Sequence, residues 1–168
     1  MDKQNTDFQL PYRISVCGRS EVPAFQERGM THLLSIDSPG SPTDTPEWYN
    51  GVHRHLAFVD VESKTMAVAF GLVAPQRLDV EEILEFGNEC LAASHKGGVH
   101  LVIHCLAGVS RSPAAAYAIM CMLNGAGCER TAFEYLMHIR HCAAPNRLIV
   151  KYADELLGRQ GAMIASCS

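Results

Sequence analysis

A near-continuous apolar run at residues 98–104 (GVHLVIH) leads into a loop of small residues at 105–112 (CLAGVSRS) and then into an alanine-rich stretch. Such a run is typical of a central parallel strand that is covered on both faces. Pro113 suits the first turn of a helix, which would continue through residues 114–124 and be closed by Gly125. The sequence therefore predicts a strand, a short loop and a helix, with the loop at the carboxyl end of a central strand, where open α/β sheets bind ligands.

The rest of the chain alternates between short buried strands and helices, with no internal repeat. The predicted strands are 13–18, 31–37 and 53–61, and the predicted helices are 21–29, 79–96, 129–140 and 146–158. Residues 38–51 are rich in Pro, Gly, Ser and Asp, which predicts a loop. The predicted fold class is therefore α/β, with a central, mostly parallel sheet flanked by helices and a helical C-terminal half.

Length and charge limit the classes of protein to consider. A chain of 168 residues fits one domain with a core of its own. The net charge of −4, without any run of Lys and Arg, argues against a nucleic-acid binder. Residues 1–14 have neither the basic start nor the apolar block of a signal peptide, and no stretch is apolar enough to span a bilayer. We therefore expect a cytoplasmic protein that contacts neither nucleic acid nor membrane.

The cysteines indicate reduced thiols. There are seven of them, an odd number, and no two have the C-x-x-C spacing that is common in zinc sites. His53 and His55 are two residues apart, as on one face of a strand, and could bind a metal ion together. No third ligand follows at a spacing typical of metal sites, so no metal site is predicted. Cys105, by contrast, lies in the loop of small residues, and we expect it to be reactive.

The loop at 105–112 has the features of an anion-binding site. A backbone that turns into a helix directs several free N–H groups to one point, and Arg111 is always cationic. The same field would lower the pKa of Cys105 from the ordinary value of about 8.5, which favours the nucleophilic thiolate. Gly108 permits the loop to curl its N–H groups inward. The guanidinium of Arg111 can bind two oxygens of a phosphoryl group at once.

The pattern H-C-x-x-G-x-S-R-S resembles the signature loop of the cysteine-based protein tyrosine phosphatases. Its six positions are His104, Cys105, Gly108, Ser110, Arg111 and Ser112. The short chain is similar to the dual-specificity branch and to its compact bacterial members, a resemblance that extends over residues 10–160, through 55–63 and 139–158. It implies a single phosphatase domain over residues 1–168, with short tails, and no metal or organic cofactor.

The resemblance also implies roles for the loop residues. Ser112 is expected to donate a hydrogen bond to the sulfur and help it to leave, although a helix cap before Pro113 explains this serine equally well. His104 is expected to orient the loop, and a packed core histidine is the alternative. The remaining positions are expected to bind phosphate mainly through backbone N–H groups: Leu106, Ala107, Gly108, Val109 and Ser110.

Cleavage of a phosphate ester also needs an acid that protonates the leaving oxygen. The resemblance places this acid on a loop upstream of the cysteine, and Asp60 is the best match. The separation of 45 residues between Asp60 and Cys105 is long for a compact enzyme of this kind. Asp79 and Asp44 are the rivals, with Glu62 a weaker one, although Asp79 is also explained as a helix cap.

These residues predict hydrolysis of phosphate monoesters on phosphoproteins through a phosphocysteine. Uncharged Leu106, Ala107 and Val109 oppose a lipid or inositol phosphate phosphatase, which would carry basic residues in the loop. A non-catalytic phosphopeptide-binding module would keep the loop but lose Cys105 or the acid. A sulfur transferase would also use a cysteine loop, but the Arg111-Ser112 pair at the end of this loop is better suited to binding phosphate. The choice between phosphotyrosine and phosphoserine or phosphothreonine stays open, as does the oligomeric state.

Overall fold

The computed structural model describes residues 8–167. Its sheet has four parallel strands in the order β1-β4-β2-β3. They are β1 (Arg13–Gly18), β2 (His32–Asp37), β3 (Val52–Ala57) and β4 (His100–Cys105). The apolar run identified in the sequence forms β4, which is buried along its whole length between β1 and β2. The predicted α/β class is confirmed, and the described sheet is entirely parallel.

Six α-helices and one 3₁₀ helix surround this sheet in the described residues. The 3₁₀ helix is Arg19–Arg28, and the α-helices are α1 (Lys64–Ala69), α2 (Arg77–Ser94), α3 (Arg111–Asn124), α4 (Glu129–Ile139), α5 (Arg147–Leu156) and α6 (Ala162–Ser166). None of the helices within residues 8–167 is long and apolar enough to cross a membrane. The C-terminal half is helical, as predicted.

The α3 helix is the centre of the main core. Its residues 111–121 are all buried, and it packs against α2, α4, α5 and β4. Since side chains alternate along a strand, Leu101, Ile103 and Cys105 of β4 point into this core. Val102 points to the opposite face, where it packs in a smaller cluster under the 3₁₀ helix. Cys105 therefore lies on the face of the sheet that α3 covers.

The third strand is shorter than predicted. We expected it to run over 53–61, but β3 ends at Ala57. The neighbouring strand β2 ends at Asp37, whose carbonyl accepts the last cross-strand hydrogen bond from the Phe58 amide. Beyond this point β3 has no neighbouring strand within residues 8–167 to pair with. Asp60 consequently lies in a loop, and its placement on a strand was wrong.

Two helix predictions need a correction. The α2 helix begins at Arg77 rather than at Asp79. Asp79 is the third residue of the helix, and its carboxylate accepts a hydrogen bond from the Gln76 amide at 2.7 Å, which caps the helix start. The segment predicted as a helix over 21–29 is a 3₁₀ helix that Gly29 closes with φ 70°. The α1 and α6 helices, of six and five residues, were not predicted, because such short helices carry little periodicity.

Candidate active site

The loop between β4 and α3 is tightly curled against β1. Gly108 has φ +69°, and a Cβ at this position would collide with the backbone of Cys17 and Gly18. A residue with a side chain could adopt neither this conformation nor this approach without moving β1. Glycine is therefore required at Gly108 for the loop to have this shape.

Every carbonyl from Leu106 to Ser110 is held by a group outside the loop. The Arg19 amide donates to the Leu106 carbonyl at 3.1 Å. The Ala144 amide donates to the Val109 carbonyl at 2.7 Å, and the Asn146 amide donates to the Ser110 carbonyl at 3.1 Å. The guanidinium of Arg140 donates to the Ala107 carbonyl at 3.1 Å and to the Gly108 carbonyl at 3.0 Å. With its carbonyls turned outward, the loop directs its N–H groups to the opposite side, which is the arrangement of an anion nest.

Cys105 lies at the centre of this loop with its thiol buried. Burial raises the pKa of Cys105, but hydrogen bonds from the Ser112 hydroxyl and from the amides of Ser112 and Gly108, together with the charge of Arg111, bring the pKa below its ordinary value. The sulfur lies 3.2 Å from the Ser112 oxygen. The loop thus favours the thiolate, the form in which a cysteine acts as a nucleophile.

A second cysteine at the same end of the sheet shows that this effect belongs to the loop. Cys17 is also buried, at the end of β1, and burial together with the nearby Glu21 carboxylate raises its pKa to about 12. The 3₁₀ helix begins close by, at Arg19, but no hydrogen bond from a described amide or hydroxyl to the Cys17 sulfur offsets the effect of burial on its pKa. Of these two neighbouring thiols, only Cys105 is stabilised as an anion.

The guanidinium of Arg111 is buried but not fully satisfied. The side chain is 4% exposed, and its Nη1 donates to the Phe58 carbonyl at 2.8 Å and to the Ser38 hydroxyl at 3.3 Å. Its Nε has no hydrogen-bond partner among the described residues. A buried donor on a cationic group is costly to leave unpaired. An oxyanion in the loop would supply that partner and would neutralise the charge.

Asp60 contacts the loop directly. Its Oδ1 accepts hydrogen bonds from the Ser110 hydroxyl at 2.6 Å and from the Asn146 side-chain amide at 2.8 Å. Both bonds fall on one oxygen, and the side chain is exposed at the surface. The carboxylate is thereby fixed beside the loop with its second oxygen, Oδ2, accepting from no described residue.

The Ser110 bond revises one expectation. Ser110 was predicted to contribute mainly its backbone, whereas its side chain also holds Asp60. Asn146 was not singled out by the sequence as a site residue. It caps α5 through its own side-chain oxygen while its amide nitrogen holds Asp60. An Asn after Pro145 at a helix start indicated the cap, but nothing in the sequence indicated the second contact.

The other three candidate acids have no contact with the loop. Asp79 is engaged with the Gln76 amide at the start of α2, and burial raises its pKa. Glu62 accepts the Arg147 amide at 3.1 Å at the start of α5. Asp44 is exposed in the loop that follows β2. Of the four candidates, only Asp60 is brought to the loop.

His104 is completely buried at the end of β4. Its Nε2 lies 2.6 Å from the Ser35 hydroxyl, and its Nδ1 lies 3.3 Å from the carbonyl oxygen of Cys105. Burial lowers the pKa of His104, which favours the neutral ring. A neutral ring with a partner at each nitrogen can fix the direction of the Cys105 backbone. The position thus agrees with both expectations for this residue, loop orientation and core packing.

Arg140 and Glu21 brace the loop from outside, and the sequence did not indicate either of them. Arg140 forms a two-point ion pair with Glu21, at 2.9 and 2.8 Å, in addition to its bonds to the loop carbonyls. The hydrogen bond from Arg140 holds the pKa of Glu21 below its usual range. The two residues are 119 positions apart, a distance that no local pattern reveals.

Comparison with solved structures supports the fold. No family model and no curated protein sequence matches the chain. Among solved structures, DUSP15 aligns with a TM-score of 0.65 at 21% identity over 94% of this chain and 91% of that chain. The human tyrosine phosphatase-like serine/threonine/tyrosine-interacting protein aligns with a TM-score of 0.60 at 23% identity, over 83% of this chain and 84% of that one.

A third solved structure is PTPMT1 in complex with PI(5)P, with a TM-score of 0.60 at 13% identity over 94% of this chain and 97% of that chain. Identities this low establish a shared architecture rather than a shared substrate. The architecture is nevertheless the one that the signature loop at 104–112 implied. The chain has the dual-specificity-phosphatase-like fold of the cysteine-based protein tyrosine phosphatases.

Proposed function

We propose that this protein hydrolyses phosphate monoesters on phosphoproteins, through a phosphocysteine at Cys105. Phosphotyrosine is the proposed main substrate, and phosphoserine and phosphothreonine are proposed additional substrates. The unpaired, buried Nε of Arg111 beside the inward-facing loop amides is the observation that carries the proposal. Such a site favours an oxyanion, because both the loop amides and the guanidinium donate hydrogen bonds.

In the first step, the phosphate dianion binds to the loop amides and to Arg111. The Cys105 thiolate attacks phosphorus in line with the ester bond, so that an S–P bond forms while the P–O bond breaks. Asp60, in its acid form, transfers its proton to the leaving oxygen. Arg111 and the amides stabilise the charge that the equatorial oxygens carry in the transition state.

In the second step, the Asp60 carboxylate accepts a proton from a water molecule that attacks the phosphocysteine. The P–S bond breaks, and inorganic phosphate and the Cys105 thiolate are released. The Ser112 hydroxyl, 3.2 Å from the sulfur, donates a hydrogen bond to the departing thiolate. Each catalytic group thereby returns to its starting form.

A phospholipid is the second candidate substrate, because an exposed apolar segment follows Asp60. Its members and their exposed fractions are Met66 59%, Val68 81%, Phe70 71%, Leu72 43% and Val73 50%. A hydrogen bond from the Val59 amide to the Val73 carbonyl holds the end of this segment next to the residue that precedes Asp60. Exposed apolar clusters of this kind mark interaction sites, membranes included.

A substrate panel separates the two candidates. Purified protein is assayed for phosphate release from phosphotyrosyl, phosphoseryl and phosphothreonyl peptides, and from phosphatidylinositol phosphates in vesicles. We expect the phosphotyrosyl peptides to be hydrolysed most efficiently, as judged by kcat/KM. A preference for the vesicles that is lost in Phe70→Ser would instead support the lipid candidate. No release from any substrate would contradict the proposed function.

The replacement Asp60→Asn tests the assignment of the acid. We expect kcat to fall by about 10²–10⁴-fold for an alkyl phosphate, whose leaving oxygen needs the proton, and much less for nitrophenyl phosphate. The rise of kcat/KM with pH that reports the Cys105 thiolate should remain in the variant.

The matched control is Asp79→Asn, which removes a carboxylate of the same size that caps α2. We expect this control to lower thermal stability without a loss of rate that depends on the leaving group. If Asp79→Asn shows the graded loss and Asp60→Asn does not, the acid has been assigned to the wrong residue.

A further inference from the structure

The free edge of the sheet borders a groove outside the candidate active site. The groove has a volume of about 530 Å³, with β1 as its floor, the 3₁₀ helix as one wall and α4 as the other. Since β1 is the first strand in the sheet order, no strand within residues 8–167 pairs with its outer edge. An open edge of this kind is a template for an added strand.

The backbone of β1 shows which groups face the groove. The Arg13 amide donates to Val99 on the inner side, and the Gly18 amide donates outward to the Glu21 carboxylate. Because residues of a parallel strand alternate between its two sides, the amides and carbonyls of Ile14 and Val16 face the groove. An extended peptide placed there would find two donors and two acceptors at strand spacing.

The charge of the groove is positive, although the whole chain is acidic. Arg13, Arg28, His138 and Arg140 line it, with Glu21 as its one carboxylate. Arg140 is paired with Glu21, whereas neither Arg13 nor Arg28 forms an ion pair with any described residue. Both of these side chains are exposed. Two uncompensated cations beside an open strand edge favour an acidic occupant over a basic one.

We infer that this groove binds an acidic, extended segment of a partner polypeptide, which adds to β1 as a fifth strand. The backbone of the segment pairs with Ile14 and Val16, and its carboxylates meet Arg13 and Arg28. The far end of the groove is formed by Arg140, which also holds two carbonyls of the phosphate loop. A phosphoprotein docked in this way would have its bound segment beside that loop.

Binding is tested with the full chain and an unphosphorylated peptide, so that no turnover is involved. The probe is a fluorescent, end-capped heptapeptide that alternates glutamate with valine, and the comparison peptide has lysine in place of glutamate. Fluorescence anisotropy should show that the acidic peptide binds and that the lysine peptide does not. The double change Arg13→Glu and Arg28→Glu should lower the affinity for the acidic peptide at least about tenfold. Arg130→Glu, on α4 but outside the groove, is the matched control and should bind normally.

Two further measurements distinguish strand addition from charge attraction alone and from the proposed catalysis. Hydrogen exchange at the amides of Ile14 and Val16 should slow when the acidic peptide binds. Hydrolysis of an aryl phosphate should be unchanged in the double variant, because neither arginine contacts the phosphate loop. Equal binding of both peptides, unchanged affinity in the double variant, or unaltered exchange at the two amides would each overturn the inference.

Discussion

Replacing Cys105 with serine is expected to abolish hydrolysis of an aryl phosphate while phosphate-analogue binding remains. A serine hydroxyl does not ionise in this loop, so the nucleophile is lost, and kcat should fall by at least about 10³-fold. The loop amides and Arg111 are unchanged, so vanadate or tungstate should still bind with an affinity close to that of the wild type. Steady-state kinetics and isothermal titration calorimetry measure the two quantities.

The control for this change is Cys142→Ser, because Cys142 is an exposed free cysteine. We expect the control to keep the activity and the oxyanion affinity of the unaltered protein. Substantial turnover in Cys105→Ser would show that phosphate leaves by direct attack of water. Loss of oxyanion binding together with activity would show instead that the loop collapses without the thiol.

The second large effect is expected from Arg111→Lys, which keeps the positive charge. A lysine ammonium cannot bind two phosphoryl oxygens in one plane, and its shorter reach loses the bond to the Phe58 carbonyl. We expect kcat/KM to fall by about 10²–10⁴-fold, most of it in kcat, because the fork acts mainly on the transition state. The fold should survive, as checked by circular dichroism.

Arg130→Lys is the matched control, since Arg130 forms only a surface ion pair with Glu134 on α4. Its kinetics should not change measurably. Near-normal turnover in Arg111→Lys would mean that the guanidinium serves the structure through Phe58 and Ser38 and does not bind the transferred group.

The parts of the fold that sequence could predict are those encoded locally. The run that forms β4, the small residues of the loop and the helix after Pro113 are contiguous, so composition and order were enough to place Cys105 at the carboxyl end of a central strand. Gly29 and Gly125 were likewise identified as helix ends, and both have positive φ. Local signals of this kind survive folding because no distant residue has to supply them.

The parts that sequence could not predict depend on contacts between distant segments. Asn146 reaches Asp60 over 86 positions, and Arg140 reaches Glu21 over 119 positions. Neither pair has a motif, because each side chain also has an ordinary local explanation, as a helix cap or as a charge near a helix end. The end of β3 at Ala57 is similar, since it is set by where β2 stops rather than by any residue of β3 itself.

The fold is shared by proteins of more than one kind. Solved structures that share this architecture include a tyrosine phosphatase-like interacting protein and a complex of PTPMT1 with PI(5)P. The function of such proteins is set by the residues of the site and of its rim rather than by the fold. In this chain the site offers a cysteine whose pKa is lowered, an arginine Nε with no partner among the described residues, and a carboxylate held by Ser110 and Asn146. Those groups support a phosphatase rather than a binding module.

The formation of a phosphocysteine is the central claim, and trapping it is the most direct test. The variant Ser112→Ala removes the hydroxyl that lies 3.2 Å from the sulfur, so release of the thiolate should slow and the intermediate should accumulate. The protein is mixed with an aryl phosphate, quenched within milliseconds and examined by peptide mass spectrometry. We predict the mass of one phosphoryl group on the peptide that contains Cys105 and on no other cysteine peptide. Turnover with no phosphoryl group on Cys105 at any quench time would contradict the account.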